Sequence, residues 1–130
     1  MTRPRVFTKS PWEDKVGYCR AVNAGGFVFV SGTTSVDPDS GHVMHAGNMG
    51  RQAALAFSNV ARALERLGSS TANVVRVRMY VTDIARFDEV AVLHKQFFGQ
   101  EPPAATVVEV SALAHPDLMF EVEVTALAPS

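Results

Sequence analysis

The chain has 130 residues and a mass of 14.0 kDa, enough to bury one core and too little for separate catalytic and regulatory domains. Its 12 Lys and Arg against 13 Asp and Glu leave a net charge of −1, with no basic block of the kind that nucleic acid or an anionic membrane attracts. Cys19, the single cysteine, excludes an intrachain disulfide and a cysteine-based metal motif, and no apolar run reaches spanning length; the expectation is one soluble cytoplasmic domain over residues 1–130, with neither nucleic acid nor membrane as partner.

In chain order, residues 18–23 and 27–31 flank "AGG", whose glycines supply the positive φ of a tight turn, so two antiparallel strands are expected. "TTSVDPDSGH" follows, with Asp-Pro and Ser-Gly at β-turn spacing, and reads as a loop or a further short hairpin. Between residues 50 and 67, Ala53, Phe57, Val60, Ala61, Leu64 and Leu67 recur at helical spacing, with Asn48 as N-cap and Gly68 just past the end. "VVRVRMYV" then alternates: Val75, Val77, Met79 and Val81 are expected on one face, Arg76, Arg78 and Tyr80 on the other.

Asp83 is placed to cap a second helix over residues 85–98, with Val90, Leu93 and Phe97 in one apolar stripe and Phe87, Ala91, His94 and Phe98 in its neighbour. Residues 105–110 and 119–128 complete the pattern as strands, joined through a turn at His115-Pro116-Asp117. The resulting order, ββαβαββ, predicts an α+β fold in which both helices cover one face of a mixed sheet. The other face carries apolar residues and nothing in the chain remains to cover it, so it is expected to pack against further copies, with ligand pockets between them.

Several side chains could carry chemistry. Glu121 and Glu123 in "FEVEV" alternate onto the sheet face away from the helices, where they are either a solvated edge or an acid/base pair that positions a water. His42 and His45 have H-x-x-H spacing but no carboxylate or thiolate beside them, so no metal is expected. His94 lies on the Phe87 stripe and reads as a packed structural histidine or a proton donor at a pocket. Ser31 precedes Gly32 at a strand end without a G-x-S-x-G elbow, so its hydroxyl is a turn former or a donor to a ligand rather than a nucleophile.

The blocks "GYCRAV…GGFVFVSG", "RQAALAFSNVARALERLG", "VVRVRMYVTDIARFDEV", "PPAATVVEV" and "FEVEVTALA" together resemble the reactive intermediate deaminase family (RidA, YjgF/YER057c/UK114) over essentially the whole chain. The resemblance implies a chorismate-mutase-like fold of the bacillus type and a homotrimer with small-molecule clefts between subunits. It also implies hydrolysis of enamines or imines to oxo compounds with release of ammonia and no cofactor. Carried over by position, it gives Glu121 the role of placing the hydrolytic water. Tyr18, Ser31, Phe87, Ala91, His94, Ala105 and Val107 fall at or beside the ligand-binding positions.

Three of those positions depart from the family pattern, the first being Ala91, which stands where well-studied members carry an asparagine. Active deaminases of the family carry Pro-Ala-Arg where this chain reads Pro103-Ala104-Ala105, so the arginine that clamps a substrate carboxylate is replaced by Ala105. The position that is often cysteine is Val107. Three readings follow: a hydrolase with an altered substrate range, in which Arg76, Arg78 or His94 compensates; a non-catalytic small-molecule-binding trimer with a sensing or protective role; and, least supported by the charge, an endoribonuclease.

Overall fold

A computed structural model describes residues 3–129. Their elements, in order, are β1 (Arg5–Val6), α1 (Pro11–Val16), β2 (Ala21–Ala24), β3 (Phe27–Thr33), α2 (Met49–Arg66), β4 (Val74–Val81), α3 (Asp88–Phe98), β5 (Ala104–Glu109) and β6 (Phe120–Leu127), with short 3₁₀ turns at Thr71–Asn73 and Ile84–Arg86. The strands form one six-stranded mixed sheet in the order β1-β2-β3-β6-β4-β5. All pairs are antiparallel except β4 with β5, which are parallel because α3 crosses between them.

From β2 to β6 the order is the ββαβαββ expected from the sequence. The β2–β3 hairpin turns on Gly25 and Gly26, at φ 61° and 86°, where a side chain would be strained. Asn48 caps α2 by accepting a hydrogen bond from the Arg51 N–H at 3.0 Å. Asp83 caps the 3₁₀ turn of Ile84–Arg86, so α3 begins at Asp88, later than its spacing predicts.

Helices α2 and α3 pack on each other and α2 lies across β3 and β6. Phe57 is the centre of this layer, with its ring 5.3 Å from Phe120 and Phe97 and 5.5 Å from Phe98. Beneath it Val28, Val30, Val77, Met79, Val81, Val122 and Val124 are buried. A register shift between Val74 and Arg76 turns Val74 inward and leaves Val75 exposed, so the alternation read from "VVRVRMYV" holds only from Val77 onward.

The opposite face of the sheet carries no helix. Phe27, Phe29 and Leu127 stand on it, between 39% and 46% exposed, together with Glu121, Glu123, Arg78 and Tyr80. Beyond the expected elements, the chain also folds residues 5–16 into β1 and α1. These lie at one end of the sheet, where β1 extends it beside β2.

Candidate functional site

A cleft of about 470 Å³ opens where this N-terminal segment, the end of β3, the exposed side of α2 and the loop before β6 converge. Trp12 and Val16 of α1 give it an apolar wall, and Leu118 is part of its lining. Its polar groups include Tyr18, Arg20 and Glu121, with Arg62 and Arg66 of α2 at the exposed side.

Arg20 is the buried cation of this cleft, with its side chain 8% exposed. Its Nε donates to Glu13 Oε2 at 3.2 Å, an ion pair that ties α1 to the sheet. Nη1 donates to the Gly32 carbonyl at 2.5 Å and to Thr33 Oγ1 at 3.1 Å, and Nη2 donates to the Tyr18 hydroxyl at 3.2 Å. Glu13, 4% exposed, also accepts from the Thr8 N–H at 2.8 Å and from the Thr8 hydroxyl. Both buried charges are therefore paired and hydrogen-bonded, the condition under which such a pair persists in a low dielectric.

Sequence reasoning passes over this pair. Glu13 and Arg20 lie seven residues apart across a helix, a turn and a strand entrance, so no periodicity links them. The one local signal is a charged residue beside the buried Ala21 at the mouth of a strand.

Glu121 projects from β6 onto the cleft. Its Oε2 lies over the backbone of Gly32, where a Cβ would sit 1.9 Å from it. Burial pushes the Glu121 carboxyl above the ordinary carboxylate range, Arg20 pulls it partly back, and Glu123 pushes it further up. Glu123, the other carboxylate of "FEVEV", is engaged by the Tyr80 hydroxyl across the β4–β6 ladder, and that bond raises the Tyr80 hydroxyl above its usual value. The two glutamates share a face but have different surroundings: Glu121 lines the cleft and Glu123 does not.

Of the remaining sequence-derived positions, Ser31 is placed outside the cleft lining, with its hydroxyl donating to the Cys19 carbonyl at 2.7 Å. Ala105 and Val107 pair with Val77 and Met79 and so share the helix-side face, opposite that of Glu121, which pairs with Tyr80. Ala105 is exposed on edge strand β5, and Val107 packs against the core margin. Phe87 stands at the start of α3, Ala91 one turn on and His94 further along, all partly buried. The positions therefore fall into two groups within one chain: Tyr18 and Glu121 at the cleft, and Phe87, Ala91, His94, Ala105 and Val107 along α3 and β5.

Arg76 donates to Thr106 Oγ1 at 2.8 Å, and neither it nor Arg78 lines the cleft. Glu109 accepts from the Ile84 N–H at 2.9 Å, a capping contact. Among the described residues no three His, Cys, Asp or Glu side chains are grouped to hold a metal.

The family model described as Endoribonuclease L-PSP matches residues 8–128. The chain belongs to this family, known also as RidA or YjgF/YER057c/UK114. It is similar to Rv2704 of Mycobacterium tuberculosis, a YjgF/YER057c/UK114 member of known crystal structure, with 38% identity, a TM-score of 0.86, and coverage of 98% of this chain and 100% of that one. A RutC family protein of Pyrococcus abyssi is 31% identical over 97% of this chain and 98% of its own length. The human 2-iminobutanoate/2-iminopropanoate deaminase is 30% identical over 84% of this chain and 80% of its own. The α+β architecture is thus the chorismate-mutase-like fold of the RidA family, and among the described residues no helix is long and apolar enough to cross a membrane.

Proposed function

We propose that the protein is a RidA-type hydrolase that converts an enamine or imine to the corresponding oxo compound and ammonia without a cofactor. The observation that carries this reading is Glu121: a carboxylate half-withdrawn from water, held over Gly32 beside Tyr18 and the paired Arg20, in a cleft large enough for a small organic molecule. The name of the human relative, a deaminase of 2-imino acids, supports the same chemistry.

In this mechanism the substrate reacts as the protonated imine, which an enamine reaches by taking a proton on its β-carbon. Water adds to the carbon of the C=N bond, Glu121 accepts one of the water's protons, and the π pair moves to nitrogen to leave a neutral carbinolamine. The carbinolamine then collapses: Glu121 passes its proton to the nitrogen, the carboxylate so released takes the hydroxyl proton, the C=O bond forms as the C–N bond breaks, ammonia leaves, and Glu121 gives its proton to solvent. Tyr18 supports the polar atom of the substrate by a hydrogen bond.

The complete site is shared between subunits of a homotrimer: Glu121 and Ala105 point to opposite faces of one sheet, Tyr18 lines the cleft with Glu121 and Phe87 stands at the start of α3, so a second chain is what brings the two groups together. The substrate range is altered because Ala105 offers no guanidinium to an α-carboxylate. A net charge of −1 with no basic block in the sequence is a poor footing for a polyanion, which argues against RNA as substrate.

The test is to generate 2-imino acids and uncharged imines in situ and to follow release of oxo compound. The wild type should hydrolyse the uncharged imines and be slow on 2-imino acids. Glu121→Gln should lose about 10²-fold or more in rate, and Ala105→Arg should gain activity on 2-imino acids. Hydrolysis of no imine by the wild type or by Ala105→Arg would overturn the hydrolase reading and leave a small-molecule-binding protein.

A further inference from the structure

Arg20 is the one buried cation in the cleft, and the obvious role for it is to grip an anionic ligand in place of the residue lost at position 105. Its hydrogen bonds argue otherwise. A guanidinium has five N–H donors, and four of those of Arg20 are committed to Glu13, Gly32, Thr33 and Tyr18. Its charge is answered by Glu13 at 3.2 Å. An incoming carboxylate would meet a cation already neutralised, with too few free N–H groups for a bidentate pair, and Glu121 beside it.

The bond to Tyr18 has a direction. Arginine can only donate, so the Tyr18 oxygen is the acceptor at 3.2 Å, and the phenolic hydrogen is left for another partner. Among the described residues the Tyr18 hydroxyl donates to nothing, and Tyr18 lines the cleft. The Arg20 guanidinium also lies 5.4 Å from the centre of the Tyr18 ring, which holds the phenol from its face as well as from its oxygen.

We propose that Arg20 is a positioning residue that fixes Tyr18 as a one-way donor into the cleft, so that the ligand recognised there is a neutral acceptor, a C=N or C=O group on an apolar frame, and not a carboxylate. This rests on the cleft being the site of the reaction proposed above and deepens it by naming the class of substrate. Glu13 anchors the arrangement: through it Arg20 is satisfied from within the protein, and α1, which carries Glu13 together with Trp12 and Val16 of the cleft wall, is held in place by the same contact.

The test uses two stable probes of one shape, benzamide and benzoate, titrated into the full-length protein at pH 8 with binding followed through the side-chain N–H signals of Arg20 and by calorimetry. Benzamide should bind about tenfold tighter than benzoate, since the anion would meet Glu121 beside a buried cation already paired, while Lys9, Arg62 and Arg66 stand at the exposed side of the cleft in water. Tyr18→Phe should weaken benzamide about fivefold and leave benzoate unchanged. Glu13→Gln, close to isosteric and so least disturbing to the fold, should release the Arg20 charge and raise benzoate affinity about tenfold. Arg20→Lys keeps the charge and should weaken benzamide as Tyr18→Phe does.

A merely structural Arg20 would lower both affinities together in Glu13→Gln. That result, equal or tighter binding of benzoate by the wild type, or binding of neither probe would each overturn the proposal. Failure here is separable from failure of the hydrolase reading: benzamide bound through Tyr18 with no imine hydrolysed sinks only the latter, and imine hydrolysis with benzoate bound as well as benzamide sinks only the former.

Discussion

Gly32 and Glu121 occupy one place in space that only a residue without a side chain allows: a Cβ at Gly32 would lie 1.9 Å from Glu121 Oε2. Gly32 does not have a positive φ, so its freedom from a side chain matters for the approach of the carboxylate and not for the turn of the backbone. The neighbour that must yield is the end of a flexible side chain, so Gly32→Ala should fold with a melting temperature close to wild type while driving Glu121 out of position. Imine hydrolysis should fall about 10²-fold. Unchanged activity would mean that the placement of Glu121 over Gly32 has no part in the reaction.

Glu121 itself should weigh on stability. Burial, the larger influence, raises its pKa in the folded chain above that in the unfolded one, so the folded state holds its proton to higher pH. Its contribution is therefore full below the unfolded carboxylate pKa and is lost as pH rises through the folded one. At pH 7 to 8 the ionised carboxylate is a liability, and Glu121→Gln should melt higher than wild type, by about 2–5 °C, while losing activity. The gain should vanish at pH 4. A variant that melts lower at neutral pH would show that Glu121 is held for stability.

The distribution of these groups explains what could be read without a structure. The amphipathic spacing of α2, the Asn48 cap and the Gly25-Gly26 turn are local, and each is written in a few adjacent residues. The "FEVEV" alternation fixes Glu121 and Glu123 on one face, but what separates the two is what each carboxylate reaches, the Tyr80 hydroxyl for Glu123 and the backbone of Gly32 for Glu121, and no spacing encodes that. Residues 5–16 give only two residues of strand and six of helix, too short for either periodicity to register. The Glu13–Arg20 pair they create was hidden for the same reason. Position 105 was legible through resemblance alone, and its place on the face opposite Glu121 follows from the parallel pairing of β4 with β5.

His94 gives a second pH dependence of opposite sense. Its ring is 5.0 Å from Phe98 and 6.1 Å from Phe57, its Nε2 has no hydrogen-bond partner among the described residues, and burial lowers its pKa. The unfolded chain therefore takes up the proton first. Stability is full above the usual histidine value of about 6.5 and is lost as pH falls through it toward the folded pKa. The melting temperature of the wild type should drop by several degrees between pH 7 and pH 5.5, and His94→Phe should flatten that drop. An equal slope in both proteins would place the acid sensitivity elsewhere.

The uncovered face of the sheet makes the assembly testable through one side chain. Phe29 is 44% exposed, tilted against Phe27 at 6.2 Å, and carries no helix above it. Burying such rings is worth about 2 kcal/mol each, so a face of this kind favours association with further copies, as the proposed shared site requires. Light scattering should return about three times the chain mass of 14.0 kDa. Phe29→Asp should return the chain mass, because a carboxylate in place of this ring would have to be desolvated for the face to be covered by another copy. The monomer should retain its circular dichroism, since Phe29 lies outside the core, yet lose imine hydrolysis even though Glu121, Tyr18 and Arg20 are unaltered. A monomeric Phe29→Asp that kept full activity would place the entire site within one chain and remove Phe87, Ala91, His94, Ala105 and Val107 from it.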